Sequence, residues 1–293
     1  KIAIYGQYYL NSTEPIIKDI FVFFKKNNTE LIIEAAFLEM LYEKNLIHET
    51  YQTFSSHTEL DSSFDMLISI GGDGTILRAA TLVRNSSVPI LGINAGRLGF
   101  LATVQKDNID SFLQFVIDKK YSISKRTLLS LDCSPENEAI NEINFAMNEI
   151  TVSRKDTTSM ITIETYLNDE FLNSYWADGL IISTPTGSTG YSMSCGGPIL
   201  TPDVKSLVIT PIAPHNLNAR PLVIPDNTEI KLRVTGREDQ YLVSLDSRVT
   251  TVKNESILII KRNPFEINMV EIQQETFLKT LRNKLLWGED KRN

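Results

Sequence analysis

Met66-Leu67-Ile68-Ser69-Ile70-Gly71-Gly72-Asp73-Gly74-Thr75 decides how the rest of this chain is read. The first five residues make a short apolar strand, the glycine-rich stretch makes a turn, and from Thr75 to Arg84 the spacing is helical. This is where an open α/β sheet presents backbone N–H groups and a helix N-terminus to a phosphate. A carboxylate does not belong in an anion-binding turn unless a metal or a reacting hydroxyl is also there, so Asp73 is the residue expected to act on the bound group. The plainer alternative is a tight turn in which Asp73 only caps a helix. Three features favour phosphate chemistry: the turn closes an apolar strand, Gly72 and Gly74 let a backbone approach a ligand, and Arg78 follows Gly74 by one helical turn. The Walker pattern GxxxxGK[ST] is absent, which excludes that class of ATPase.

Outward from this stretch, strand and helix signals alternate over residues 1–120. Strands are expected at Ile2 to Tyr5, Leu31 to Ile33, Met66 to Ile70 and Val88 to Ile93. Between and after them, helices are expected from Ser12-Thr13-Glu14-Pro15 to Lys26, Phe37 to Asn45, Thr75 to Arg84, and Asn108 to Lys119. Such alternation implies a mostly parallel sheet with helices on both faces, a Rossmann-like α/β domain. Beyond Tyr121 the pattern changes to short β-branched runs such as Ile161 to Tyr166, Leu180 to Ser183, Leu207 to Thr210 and Ile257 to Ile260, with prolines between, so residues 121–270 read as an all-β domain. Glu275 to Trp287 regains helical spacing, and residues 271–293 are expected to pack back on the first domain.

Composition narrows the function. The chain has 293 residues, 42% hydrophobic and 22% charged, which suits a globular protein of two domains. A net charge of −7 argues against nucleic-acid and membrane-surface partners, although local N–H groups can still bind a nucleotide. The two cysteines, Cys133 and Cys195, fit no zinc spacing. Together with a first segment that reads as a strand rather than a signal peptide, and with no run of about 18 apolar residues, they point to a reduced, cytoplasmic protein.

A second segment, Ser183-Thr184-Pro185-Thr186-Gly187-Ser188-Thr189-Gly190-Tyr191-Ser192, follows Asp178-Gly179 and a buried-looking strand. It reads either as a surface loop or as six hydroxyls and an aromatic ring offered to a ribose and an adenine. Asn148-Glu149 carries little information alone. His48 and His57 read as surface residues, His215 as a structural hydrogen-bonding residue, and Cys195 as small packing.

In order along the chain, GGDGT, Asn148-Glu149, Asp178-Gly179, STPTGSTGYS, Cys195-Gly196-Gly197-Pro198 and Arg220-Pro221-Leu222 closely resemble the bacterial NAD kinases. The resemblance runs from the first strand to beyond Asp246-Ser247-Arg248. GGDGT alone is shared with lipid kinases and phosphofructokinases; the combination with TPTGSTGYS is far more specific. It implies transfer of the terminal phosphoryl of ATP to the 2′-hydroxyl of the adenosine ribose of NAD, giving NADP, with Asp73 as general base and the ligand between the two domains. By the same resemblance the substrates meet Gly72, Gly74, Thr75, Arg78, Asn94 and Phe100. Asn148 and Glu149 hold the adenosine, Asp178 the nicotinamide end, and Thr186, Thr189, Gly190, Tyr191, Ser192, Met193 and Ser194 form the adenosine loop. Ala213 offers backbone contacts, Arg248 is available to the pyrophosphate, and Trp176 adjoins the nicotinamide or simply packs.

Two departures stand out: Gly190 replaces a common alanine, and Tyr175-Trp176-Ala177 replaces a basic or small residue before Asp178. No resident metal site is expected; Mg²⁺ or another divalent cation would arrive with ATP. A homodimer or homotetramer is the expected assembly. Two other classes remain open at this point, a lipid kinase sharing GGDGT and a non-catalytic dinucleotide sensor.

Overall fold

Four short apolar runs and one three-residue edge strand, each separated from the next by a helix or a turn, begin the first of two compact units, Lys1–Lys125 with Ile267–Asn293; the second is Arg126–Glu266. The computed structural model describes residues 1–7, 13–96, 98–104, 109–156, 159–216, 218–272 and 276–287. The helix limits expected at Ser12, Asn108 and Glu275, and Arg97 of the NAGRLGF stretch, lie outside these.

In the first unit the strands β1 (Ile2–Gly6), β2 (Leu31–Glu34), β3 (Gln52–Phe54), β4 (Met66–Gly71) and β5 (Ile90–Asn94) pair in parallel in the order β3-β2-β1-β4-β5. The helices α1 (Thr13–Lys26), α2 (Ala35–Glu43), α3 (Asp73–Val83) and α4 (Ile109–Ile117) alternate with them. α1 buries Ile16, Ile17, Ile20, Phe21 and Phe24, the stripe its helical spacing predicts. β4 and β5 are buried at every residue, as strands covered on both faces must be. The order of strands reverses between β1 and β4, so the carboxyl ends of these two strands form the switch point at which open α/β sheets bind ligands. β4 ends there, at Gly71.

Two features of this unit were not read from the sequence. β3 is a strand of three residues, two of them exposed, too short to show alternation. The returning segment contributes a strand, Ile267–Glu271, as well as the helix Phe277–Leu285; Met269 pairs in parallel with Ile90, and Ser122–Arg126 completes the seven-stranded sheet. The returning helix rests on this unit through Phe277, whose ring lies 6.3 Å from that of Phe100.

The second unit is two six-stranded antiparallel sheets whose inward residues, among them Leu131, Leu232 and Leu258 of one and Ile150, Leu180 and Val243 of the other, form one apolar core. Strands such as Gln240–Leu245 alternate buried and part-exposed residues, the signature of a half-buried sheet. Register positions the candidate residues. Glu149 opens the strand Glu149–Ser153 opposite Ser183, where the hydroxyl-rich loop begins, and Ile150 faces Leu245, just before the turn at Asp246. Among the described residues, no helix is long and apolar enough to cross a membrane.

Candidate active site

In the first unit, Gly72 is the N-cap of α3 and Asp73 its first residue. Gly71 has a φ of +155°, and a Cβ there would lie 2.2 Å from Thr75 Oγ1, so both its conformation and its packing require glycine. Gly72 and Gly74 are different: a Cβ on either would meet nothing within 4 Å. Glycine is a good N-cap at Gly72, but inside the helix, at Gly74, it costs up to about 1 kcal/mol against alanine, and no packing contact calls for it there. What their missing side chains leave open is access to the N–H groups that the first turn of α3 cannot satisfy within the helix. Arg78 is exposed on the same helix.

Asp73 faces away from simple capping. Its Oδ2 accepts the Phe100 N–H at 2.8 Å, and its Oδ1 accepts the N–H groups of Leu101 and Ala102, each at 3.0 Å. A Cβ on Gly99 would lie 1.9 Å from Oδ1, so the glycine of Leu98-Gly99-Phe100 exists to admit this carboxylate. Asn94, nearly fully buried, clasps the same loop: its Nδ2 donates to Ala102 O at 3.2 Å and its Oδ1 accepts Gly96 N–H at 2.6 Å. Asp73, Asn94 and Phe100 therefore belong to one construction. A carboxylate has about four lone-pair directions; the described residues fill three, leaving one on Oδ2. Thr75 is buried, with its hydroxyl donating to Gln7 Oε1 at 3.2 Å. Gln7 also lines a cavity of about 620 Å³ with Tyr5, Gly6, Glu34, Ala36, Phe37 and Met40, at the carboxyl ends of β1 and β2.

In the second unit, Asn148 and Glu149 present two buried acceptors without a hydrogen-bond partner among the described residues, Asn148 Oδ1 and Glu149 Oε2. Buried polar atoms are rarely left so unless a ligand or water completes them. Their backbone is fixed by Asp246, which accepts the N–H groups of Met147 at 3.0 Å, Asn148 at 2.7 Å and Glu149 at 3.2 Å. Burial first, and then the charge of Asp246, push the Glu149 carboxyl up to about 8, against the Tyr191 N–H that favours its charged form. Burial also raises Asp246, while the three N–H groups and Arg248 act the other way.

The hydroxyl-rich loop is built largely by its own side chains. The Thr184 hydroxyl donates to Met147 O at 2.6 Å and accepts Gly187 N–H at 3.1 Å. The Ser188 hydroxyl donates to Pro185 O at 2.7 Å and accepts Leu200 N–H at 2.9 Å, Thr189 donates to Thr186 O at 3.2 Å, and Ser192 pairs with Thr210 at 2.8 Å. Thr186, Ser188 and Ser192 are buried. The loop is pressed onto the acceptor pair: a Cβ on Gly187 would lie 2.1 Å from Asn148 O, and one on Gly190 would lie 3.3 Å from Glu149 Oε2. An alanine at Gly190 would crowd that orphaned oxygen. Tyr191 and Ser194 are exposed and Met193 half-buried, so this short helix offers its outer side to a ligand.

The remaining expected residues fall nearby or elsewhere in the second unit. Asp178 is half-buried and its Oδ2 lies 3.0 Å from Arg154 Nη2. Trp176 is half-exposed with its ring 4.3 Å from that of His215, whose N–H donates to Trp176 O at 2.8 Å. Ala213 takes a φ of +42° at the end of the strand Ser206–Ile212. Arg248, whose charge could meet the pyrophosphate by the resemblance, donates its guanidinium to the carbonyls of Ile143 (2.6 Å) and Phe145 and lies over the Phe145 ring. The sequence reading missed Asp246, Gly99 and Gln7 as builders of these sites. Among the described residues, no three His, Cys, Asp or Glu side chains group as a metal site.

Residues 15–121 match the family model of the ATP-NAD kinase N-terminal domain, and residues 147–272 that of the ATP-NAD kinase C-terminal domain. The chain is 78% identical over 293 residues to an NAD kinase of Flavobacterium johnsoniae, covering 100% of both. Its fold is similar to that of yeast NADH kinase complexed with NADH, with TM-score 0.88, 22% identity, and coverage of 99% of this chain and 88% of that one. It is also similar to an NAD kinase from Archaeoglobus fulgidus in complex with ATP, with TM-score 0.72, 24% identity, and coverage of 97% and 96%.

Proposed function

The chain belongs to the NAD kinase family, and from that premise we propose how its residues divide the work of converting NAD to NADP. As an NAD kinase it phosphorylates the 2′-hydroxyl of the adenosine ribose, a reaction in which positioning and charge stabilisation do most of the catalysis. The dinucleotide's adenosine is held by Asn148 and Glu149, and the observation that carries this reading is the pair of buried, partnerless acceptors those two side chains present side by side. Tyr191, Met193 and Ser194 border the adenosine. Thr186, Thr189, Gly190 and Ser192 keep the loop in shape against it, and Asp178, Trp176 and the backbone at Ala213 serve the nicotinamide end. Arg248 acts indirectly, by holding the chain before the acceptor pair.

Asp73 is the general base: the free lone pair on Oδ2 takes the ribose proton as the P–O bond forms, while its other three bonds keep the carboxylate still. The phosphates of ATP meet the N–H groups exposed by Gly72 and Gly74, with Thr75 and Arg78 beside them, and the cavity next to Gln7 has room for a nucleoside. A divalent cation enters as the metal–ATP substrate, bound chiefly by phosphate and water and neutralising charge there. The working form is a cytoplasmic homodimer or homotetramer, with Lys1–Lys125 and Ile267–Asn293 as the phosphoryl-transfer domain and Arg126–Glu266 as the dinucleotide domain.

NADP formation from NAD and Mg²⁺-ATP, followed with purified Asn148→Ala protein, tests the assignment of the adenosine. Loss of the bond to Asn148 Oδ1, which leaves a buried ligand donor unsatisfied, predicts a rise of about tenfold in KM for NAD with kcat little changed. An unchanged KM would remove Asn148 from the dinucleotide site.

A further inference from the structure

Glu149 and Asp246 are carboxylates forced together by the fold, and their surroundings are unequal. Asp246 accepts three backbone N–H groups, from Met147, Asn148 and Glu149, with Arg248 close by. Among the described residues, Glu149 has the Tyr191 N–H as its one donor, no ion pair, and Oε2 buried without a partner. Tyr191 in turn is flanked by Asp178 and Cys195, neither of which brings positive charge, and the Arg248 guanidinium is engaged by the carbonyls of Ile143 and Phe145. Three N–H donors and a guanidinium favour the anion at Asp246 against one N–H at Glu149, and two buried carboxylates that act on each other do not ionise together.

We propose that Glu149 meets the dinucleotide as a neutral carboxylic acid, its Oε2 hydroxyl donating a hydrogen bond to an acceptor atom of the adenosine, while Asp246 carries the negative charge of the pair. The claim rests on the adenosine lying against Asn148 and Glu149. Adenine ring nitrogens and the ribose ring oxygen carry lone pairs, and a carboxylate turned toward them would set lone pair against lone pair. A neutral acid supplies the donor, and Asn148 Oδ1 beside it supplies an acceptor. Asp246 is then a positioning residue with two functions: it fixes the backbone of the pair, and its charge keeps the proton on its neighbour.

The test is the pH dependence of kcat/KM for NAD, at saturating Mg²⁺-ATP, in the wild type and in Glu149→Gln, which keeps an uncharged donor. kcat/KM reports the free enzyme's groups, so with the Glu149 carboxyl titrating at about 8 the wild type should lose about tenfold between roughly pH 7 and pH 9. Glu149→Gln has no carboxyl to titrate, so whatever its level at pH 7 its profile should lack that alkaline fall. A glutamine variant that shares the wild-type alkaline fall would overturn the proposal, as would a wild type with no such fall. Infrared titration of the wild type with NAD bound gives a second reading that needs no variant: a neutral-carboxyl band is expected at pH 7, and its absence refutes the assignment. Glu149→Ala separates the two levels of argument. If it leaves KM for NAD unchanged, the adenosine does not touch this pair; if alanine and glutamine are equally damaging, the adenosine is there and the neutral acid is not.

Discussion

Replacing Asp73 with asparagine removes two things at once, and the geometry says how much of each. In one orientation the amide oxygen takes the place of Oδ1 and still accepts Leu101 and Ala102, but the amide NH₂ then faces the Phe100 N–H across 2.8 Å, donor against donor. The flipped orientation is worse, since it faces the NH₂ toward two donors. At about 1.5–3 kcal/mol for a lost charge-assisted bond and about 1 kcal/mol for each of two bonds reduced to neutral strength, the anchorage of residues 100–102 weakens by about 3–5 kcal/mol. The remaining lone pair of Oδ2 is lost as well, and loss of a general base lowers kcat by about 10²–10⁴-fold. Turnover should therefore fall by at least two orders of magnitude, and amide hydrogen exchange at Phe100, Leu101 and Ala102 should accelerate by a similar factor. Gly99→Ala is the companion variant. It keeps the carboxylate but puts a methyl 1.9 Å from Oδ1, so it should free the same amides by displacement. Wild-type kcat in the Asp73→Asn protein would refute Asp73 as base. Unchanged exchange at the three amides would refute its role as the loop's anchor.

Two further perturbations probe the second unit. Gly187→Ala puts a methyl 2.1 Å from the Asn148 carbonyl, a backbone atom that can move only by shifting the acceptor pair. It should destabilise the protein by about 2–3 kcal/mol and raise KM for NAD, and a melting temperature and KM equal to the wild type's would contradict that packing. The Glu149 carboxyl also ties stability to pH. Its value of about 8 in the fold against an ordinary 4.5 means that the folded protein binds more protons than the unfolded one in between. Stability is therefore full below about pH 4.5 and declines as pH rises toward 8, with Asp246, also raised, adding in the same direction. The full interval sets a ceiling of about 5 kcal/mol, of which about 2 kcal/mol is expected after sharing within the pair, a melting-temperature gap of roughly 5 °C. Glu149→Gln should gain on the wild type by that amount between about pH 5 and pH 8 in parallel thermal scans, and a constant gap would contradict the raised carboxyl.

What the sequence disclosed follows from what each signal depends on. β4, α3 and the α1 stripe were legible because their periodicities are local and long enough to count. GGDGT was legible because a glycine turn between a strand and a helix has few structural uses. β3 was not, since three residues carry no period, and the Ile267–Glu271 strand looked like one more β segment because its partner, Ile90, is far away in the chain. The hydroxyl loop shows a different limit. Its composition was right for a ligand, yet Ser188 and Thr189 spend their hydrogen bonds on the loop itself, and Thr184 and Ser192 spend theirs on the neighbouring Met147 and Thr210. Composition tells which bonds can form; only the three-dimensional partners tell which are already taken.

Asp246 marks the same boundary most sharply, because the fold uses it as it uses Asp73. In each unit one carboxylate gathers the N–H groups of three consecutive residues from a distant stretch, 100–102 in the first and 147–149 in the second. Both gathered segments border side chains assigned to the substrates. The sequence surrounds Asp73 with glycines, which advertise it, and sets Asp246 in an ordinary turn between two strands. The glycines differ because a ligand must approach the backbone at Asp73, whereas at Asp246 the ligand-facing atoms belong to the neighbours it holds. A motif search therefore finds the anchor that also does chemistry and passes over the anchor that only positions. The consequence is measurable in kinetics: Asp246→Asn should act mainly on KM for NAD, where Asp73→Asn acts on kcat, because only the first leaves the reacting hydroxyl its base.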